Sequence, residues 1–273
     1  MKQSVPRILT IAGSDSGGGA GIEADLKTFT ALRVYGMAAI TCVTAQNTVG
    51  ITGVQDLPPA LVAEQIDAVA RDIGVDAAKT GMLSSEGIIE AVADRVTANG
   101  IEFLVVDPVM AAKSGHPLLD ETARDALVRR ILPIAFLVTP NIPETEILAG
   151  MKVVGWEDIQ EAARRIHGFG ARHVLIKGGH LQSDLATDYL FDGTAFEEFS
   201  APRIPTKNTH GTGCTYSAAI AAYLGSGLLV SEAVRRAKVY VTQAIRHSFG
   251  LGQGHGPLNH FWNFPISSSE PEI

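Results

Sequence analysis

Only two cysteines, Cys42 and Cys214, occur in 273 residues. So few thiols exclude a disulfide-built scaffold and suit a reducing, cytoplasmic compartment. Basic residues are in deficit: 22 Lys and Arg stand against 29 Asp and Glu, a net charge of -7, with no basic block. Nucleic acid and anionic membrane surfaces are therefore poor partners. No apolar run reaches the roughly 18 residues that a membrane helix needs. The opening stretch MKQSVPRILTIAGS reads as neither a signal peptide nor a membrane span. The dipeptide Gly-Lys is missing altogether, which excludes the G-x-x-x-x-G-K-[ST] phosphate loop. A G-x-G-x-x-G run with an acid about 20 residues on is missing too.

What is present is ordinary in bulk and uneven in placement. Hydrophobic residues make up 46% and charged residues 19%, the balance of a globular protein. No linker, repeat or low-complexity tract divides the chain. One domain over 1–273 is expected, with a core at about 7–262 and a frayed tail at 263–273. Strand-like and helix-like stretches alternate. Strands are expected at 7–13, 37–44, 76–82, 101–108, 135–141 and 172–179. Helices are expected at 22–36, 58–73, 84–100, 120–132 and 156–170. A hairpin with Asp-Gly at its turn follows at 185–204, and two helices close the chain at 213–224 and 231–249. Apolar strands alternating with helices imply a mostly parallel central sheet with helices on both faces, a three-layer α/β/α architecture.

The residues after each strand are unlike the strands themselves. They read AGSDSGGGAG (12–21), AQNTVG (45–50), KTGM (79–82), DPVMAAKSG (107–115), PNIPETE (140–146) and KGGH (177–180). Ligands of open α/β sheets sit at the carboxyl ends of the strands, so this rim is the candidate site. Gly17, Gly18, Gly19 and Gly21 let backbone N–H groups approach an anion closely, or serve a tight strand-to-helix turn. Asp107 and Glu144 end neighbouring strands and suit Mg²⁺, which takes a few carboxylates with water and phosphate oxygens. They read equally as a turn cap and a residue at a helix start. Lys177, after an apolar strand, is a point charge for phosphate or a core-edge lysine with its head in water. HGTGCT (210–215) opens an apolar helix. Its N–H groups and dipole make an anion site, and the same field favours a Cys214 thiolate. Cys42, in mid-strand, reads as a small buried hydrophobe.

The segments AGSDSGGGAGIEADLKTF, AITCVTAQNT, KTGML, VVDPVMAAKSGHPLL, TPNIPE, KGGH and NTHGTGCT, in this order, resemble the hydroxymethylpyrimidine/phosphomethylpyrimidine kinases of the ribokinase superfamily. The resemblance runs from Arg7 to about residue 262. It implies a ribokinase-like fold and two successive ATP- and Mg²⁺-dependent phosphorylations. The first acts on 4-amino-5-hydroxymethyl-2-methylpyrimidine (HMP) and the second on its monophosphate. It also implies a cytoplasmic homodimer. By position, Gln46 resembles the side chain that binds the aminopyrimidine, since an amide offers a donor beside an acceptor. Gly13, Met82 and Val109 match the pocket walls, and Asp25 lies near them. Lys177, Asn141 and Glu144 match the phosphate and metal side, with Lys238 along the nucleotide. Gly211, Thr212, Gly213 and Cys214 match the anion hole and the catalytic position. The stretch 111–119 is expected to form a flap over the pocket, where Lys113 either meets the phosphate of the monophosphate substrate or is a solvated loop lysine. Sugar kinases of the superfamily carry Asp where this chain has Cys214. The competing readings are a pyridoxal kinase, a sugar kinase and a catalytically dead sensor.

Overall fold

The structure, a computed structural model, describes residues 5–110, 119–179 and 184–264. Its centre is one nine-stranded sheet in the order β3-β2-β1-β4-β5-β6-β7-β8-β9. The strands are β1 (Arg7–Asp15), β2 (Tyr35–Gln46), β3 (Ile51–Asp56), β4 (Ala77–Thr80), β5 (Leu104–Val106), β6 (Leu137–Val138), β7 (His173–Lys177), β8 (Leu185–Phe191) and β9 (Phe196–Pro202). From β2 to β7 all pairs are parallel. The two edges are antiparallel: β3 on β2, and the β8-β9 hairpin on β7.

The strand runs are continuously apolar because both faces are covered. On β1, Leu9 and Ile11 pack into one core and Ile8 into the other; on β5, Leu104 and Val106 face one side and Val105 the other. The first core is closed by α2 (Pro59–Asp72), α3 (Glu86–Ala98), α4 (Glu121–Ala126), α5 (Ile142–Ala149) and α6 (Trp156–His167). The second is closed by α1 (Gly21–Ala31), α7 (Thr212–Gly225) and α8 (Val230–Arg246). The expected three layers are thus present. No helix among the described residues is long and apolar enough to cross a membrane.

Several boundaries differ from the sequence expectation. The first helix stops at Ala31, not at Gly36, because Arg33 takes φ 61 and turns the chain into β2. The edge strand β3 was not expected, since its residues are nearly all exposed and carry no apolar alternation. Helix α5 occupies residues expected to be rim loop. The helix after Asp120 relaxes into a π turn at Leu127–Ile131. The hairpin turn holds as expected: Gly193 has φ 95, and Asp192 Oδ1 accepts from the Thr194 and Ala195 N–H groups.

Phe29 anchors α1 in the second core and has no exposed surface. Phe29→Ala should lower the unfolding free energy by about 3–5 kcal/mol, read from urea denaturation midpoints. A loss below about 1 kcal/mol would contradict this packing.

Candidate active site

The parallel strands end on one rim, and above it opens a cleft of about 1180 Å³. Its floor begins with the glycine loop between β1 and α1. The Asp15 carboxylate turns back into that loop and accepts from the N–H groups of Gly17 (2.8 Å), Gly19 (3.1 Å) and Ala20 (2.9 Å). The loop was read either as an approach to a ligand anion or as a tight strand-to-helix turn; its amides donate to their own Asp15 and so build the turn. Gly13 leaves room beside it, since a Cβ there would stand 2.6 Å from Cys42 Sγ. Cys42 is fully buried, as expected, and burial pushes its thiol up to about 11.

Opposite the loop stands the start of α7. Gly211 caps it with φ 79, and a Cβ there would lie 1.8 Å from the Gly19 carbonyl oxygen. Only glycine permits this approach. The first-turn N–H groups of a helix lack intrahelical partners and carry partial positive charge. That first turn lies beside the place where Asp107 and Lys177 meet: a Cβ on Gly213 would be 3.3 Å from Asp107 Oδ2 and 3.4 Å from Lys177 Nζ. Lys177 Nζ itself donates to Asp107 Oδ1 at 2.8 Å. Burial works to lower the Lys177 ammonium, but Asp107 and Glu144 outweigh it and hold its pKa above the ordinary value.

Glu144 and Asn141 form a reciprocal capping box at the start of α5. The Glu144 side chain accepts from Asn141 N–H at 2.8 Å, and Asn141 Oδ1 accepts from Glu144 N–H at 2.9 Å. Burial, with Asp107 nearby, pushes Glu144 up to about 7 against the pull of Lys177. Asn141 was expected on the phosphate side; its side-chain oxygen caps the helix. Lys238 was expected along a nucleotide; its ammonium donates to Asp188 Oδ2 at 2.6 Å. Both nevertheless line the cleft, together with Gln46, Met82 and Val109.

Asp25 was expected near the pocket walls and among the substrate-binding residues. It has no exposed surface and is not part of the cleft wall; Lys79 takes that place. Lys79 Nζ donates to Asp25 Oδ2 at 2.8 Å, and Thr10 Oγ1 donates to the same oxygen at 2.6 Å. Sequence reasoning missed Lys79 because it sits inside the short strand AAKT. Its signal was a lone charge in an otherwise apolar strand. His210 and Asp15 also line the cleft and were not singled out. Lys113 and His180 lie outside the described residues.

Cys214 enters α7 with its side chain half-buried. The expected thiolate is not what its surroundings favour. Burial pushes the thiol up to about 11, while Lys79 and the Gly21 N–H act in the opposite direction. Asp25 and Asp107 add to the effect of burial. Among the described residues no three metal-ligating side chains converge.

The family model for phosphomethylpyrimidine kinase matches residues 15–259. A thiamine biosynthesis bifunctional protein of Geobacter sulfurreducens is 56% identical over 253 residues, covering 93% of this chain. This chain spans only about half of that protein, 52%. A hydroxymethylpyrimidine/phosphomethylpyrimidine kinase of Bacillus subtilis is 48% identical over 259 residues, with 94% of this chain and 96% of the relative covered. Among solved structures, the ADP complex of Bacillus subtilis pyridoxal kinase superposes with a TM-score of 0.88 at 42% identity, covering 94% of this chain and 98% of that one.

Two outcomes test this geometry. Asp25→Asn leaves the Lys79 charge buried without its partner and should cost about 3–5 kcal/mol of stability, whereas Lys79→Met with Asp25→Leu should recover most of it. A single substitution as stable as the parent would contradict the buried pair. Alkylation of Cys214 by iodoacetamide, followed by peptide mass, should be slow at pH 7 and accelerate toward pH 11. A fast, pH-independent reaction would show a thiolate instead.

Proposed function

The chain belongs to the phosphomethylpyrimidine kinase family, and we propose that it is a single-domain kinase that transfers phosphate from ATP to HMP and then to HMP phosphate, in thiamine biosynthesis. One observation carries the reading. The start of α7 faces the Asp107–Lys177 pair across the same cleft that holds Gln46. Phosphoryl transfer needs little covalent help from a protein. It needs positioning and positive electrostatics where charge accumulates. The Gly213 and Cys214 N–H groups and the Lys177 ammonium supply the electrostatics. Gln46 supplies the positioning, with a donor and an acceptor for a ring nitrogen and its amino group.

ATP use is supported by the ADP complex of the related kinase. Asp107 and Glu144 are the carboxylates suited to Mg²⁺. Two acids lining the cleft, with no group of three ligating side chains among the described residues, fit an ion that completes its shell with phosphate oxygens and water. Such an ion would neutralise phosphate charge.

In the first step the hydroxymethyl oxygen bonds to the γ-phosphorus, the bond to the bridging oxygen breaks, and ADP leaves. The hydroxyl proton passes to Cys214 Sγ as thiolate. In the second step the nucleophile is a phosphate oxygen, already anionic near neutral pH, and it needs no base. A pyridoxal kinase is the second reading, favoured by the similarity to the solved pyridoxal kinase; relative turnover of the two alcohols separates them.

A cytoplasmic location accords with two free thiols. A homodimer accords with the β2-β3 edge, where Val43 and Val54 are 48% and 43% exposed. Sedimentation at micromolar concentration should give twice the chain mass.

The thiol at about 11 sets the sign of a pH profile. The thiolate fraction grows tenfold per pH unit below the pKa. The first phosphorylation should therefore climb from pH 7 to 9 while the second stays nearly flat. Cys214→Ala should slow the first step about 100-fold, abolish its slope, and slow the second far less. Equal losses in both steps would contradict the base role.

A further inference from the structure

The cleft wall at Gln46 contains a donor–acceptor mismatch. Resolving it gives work to three residues that the proposed chemistry leaves idle: Asp15, Thr44 and His210. All three line the cleft with Gln46. Asp15 Oδ2 lies 2.9 Å from His210 Nε2. Burial acts to raise the Asp15 carboxyl, but His210 and the Gly17 and Ala20 amides hold it below the usual carboxylate range. Asp15 is thus ionised at neutral pH and can only accept. His210 Nε2 must carry the proton between them.

Yet Gln46 Nε2 stands 3.4 Å from that same nitrogen, donor against donor. At the other end of the amide, Thr44 Oγ1 is 2.9 Å from the Ser14 carbonyl oxygen and 3.1 Å from Gln46 Oε1. One hydroxyl proton then lies between two acceptors. A carboxamide's oxygen and nitrogen are nearly equal in size, and a half-turn about its last torsion exchanges them. After that turn the donor–donor clash is gone. Gln46 Oε1 becomes the longer arm of a three-centre bond to the His210 Nε2 proton that Asp15 Oδ2 already accepts. Gln46 Nε2 donates to Thr44 Oγ1, and Thr44 keeps its proton for Ser14.

We infer that His210, anchored on Asp15, and Thr44 are positioning residues that hold the Gln46 carboxamide in this turned orientation, and so set which hydrogen-bonding pattern the cleft accepts. The inference rests on the proposed recognition of an aminopyrimidine by Gln46. With both ends anchored, the amide edge offers its donor on the Thr44 side and its acceptor on the His210 side. A ring nitrogen next to an amino group is the complement of that edge, in one orientation only. A 4-oxo ring, with an N–H donor next to a carbonyl, carries the inverse pattern. It would meet donor with donor and acceptor with acceptor. An unanchored amide would turn and take either ring.

The test compares kcat/KM for HMP and for its 4-oxo analogue in the unaltered protein, in Thr44→Val and in His210→Phe. The unaltered protein should prefer the amino compound by on the order of 100-fold. Each variant should bring that ratio below about 10, through KM for the pyrimidine and not for ATP. A merely structural role would slow both substrates alike and leave the ratio unchanged. Thr44→Val is nearly isosteric, so it decides the matter alone if His210→Phe does not fold. An unchanged ratio in folded Thr44→Val overturns the inference. Absence of phosphorylation of either pyrimidine by the unaltered protein would overturn the kinase reading, and the inference with it.

Discussion

The close approach of the Gly211 turn to the glycine loop is the contact on which the cleft depends. A Cβ at Gly211 would lie 1.8 Å from the Gly19 carbonyl oxygen, and one at Gly19 would lie 2.4 Å from His210 Cδ2. Two segments nearly two hundred residues apart thus meet at backbone distance. Because they do, the first turn of α7 comes down onto the ends of β5 and β7, where Asp107 and Lys177 pair. The Asp15–His210 bond spans the same seam. Glycine here is a matter of clearance as much as of dihedral freedom.

The second organising feature is charge balance. Lys79, Lys177 and Lys238 line the cleft, and each is bound to an aspartate behind or beside it: Asp25, Asp107 and Asp188. A buried lysine without a partner would shed its proton or destabilise the fold by several kcal/mol. Paired, it stays charged. The site can therefore hold positive groups ready for phosphate without leaving them uncompensated when no phosphate is near. The same arrangement bears on the cysteine. Burial above all, with Asp25 and Asp107 adding to it, keeps Cys214 protonated, despite the helix start that would favour a thiolate in isolation.

Much of this was legible in the sequence, and the reasons are physical. Parallel strands buried on both faces show as short apolar runs, and the rim shows as glycine, amide and charge after each run. The sequence therefore identified Gln46, Asp107, Lys177 and the turn before Cys214 as residues of one edge. It did not reveal partners. Asp25 reads as a helix acid near the pocket, and only the fold puts Lys79 over it. The glycine loop reads as an anion cradle, and only the fold shows that Asp15 is the anion. Strand β3 escaped because an exposed edge carries no hydrophobic period. Helix α5 was not drawn as an element: Glu144 read as a residue at a helix start as readily as a metal ligand, and the capping box with Asn141 settles the helix start.

The central claim is that this cleft phosphorylates an aminopyrimidine. The most direct measurement is a competition. Purified protein is incubated with ATP, Mg²⁺, HMP and pyridoxal in equal amounts, and the products are resolved by mass. Mono- and then diphosphorylated pyrimidine dominating is the predicted result. Pyridoxal phosphate dominating, or no ADP formed at all, would contradict the account.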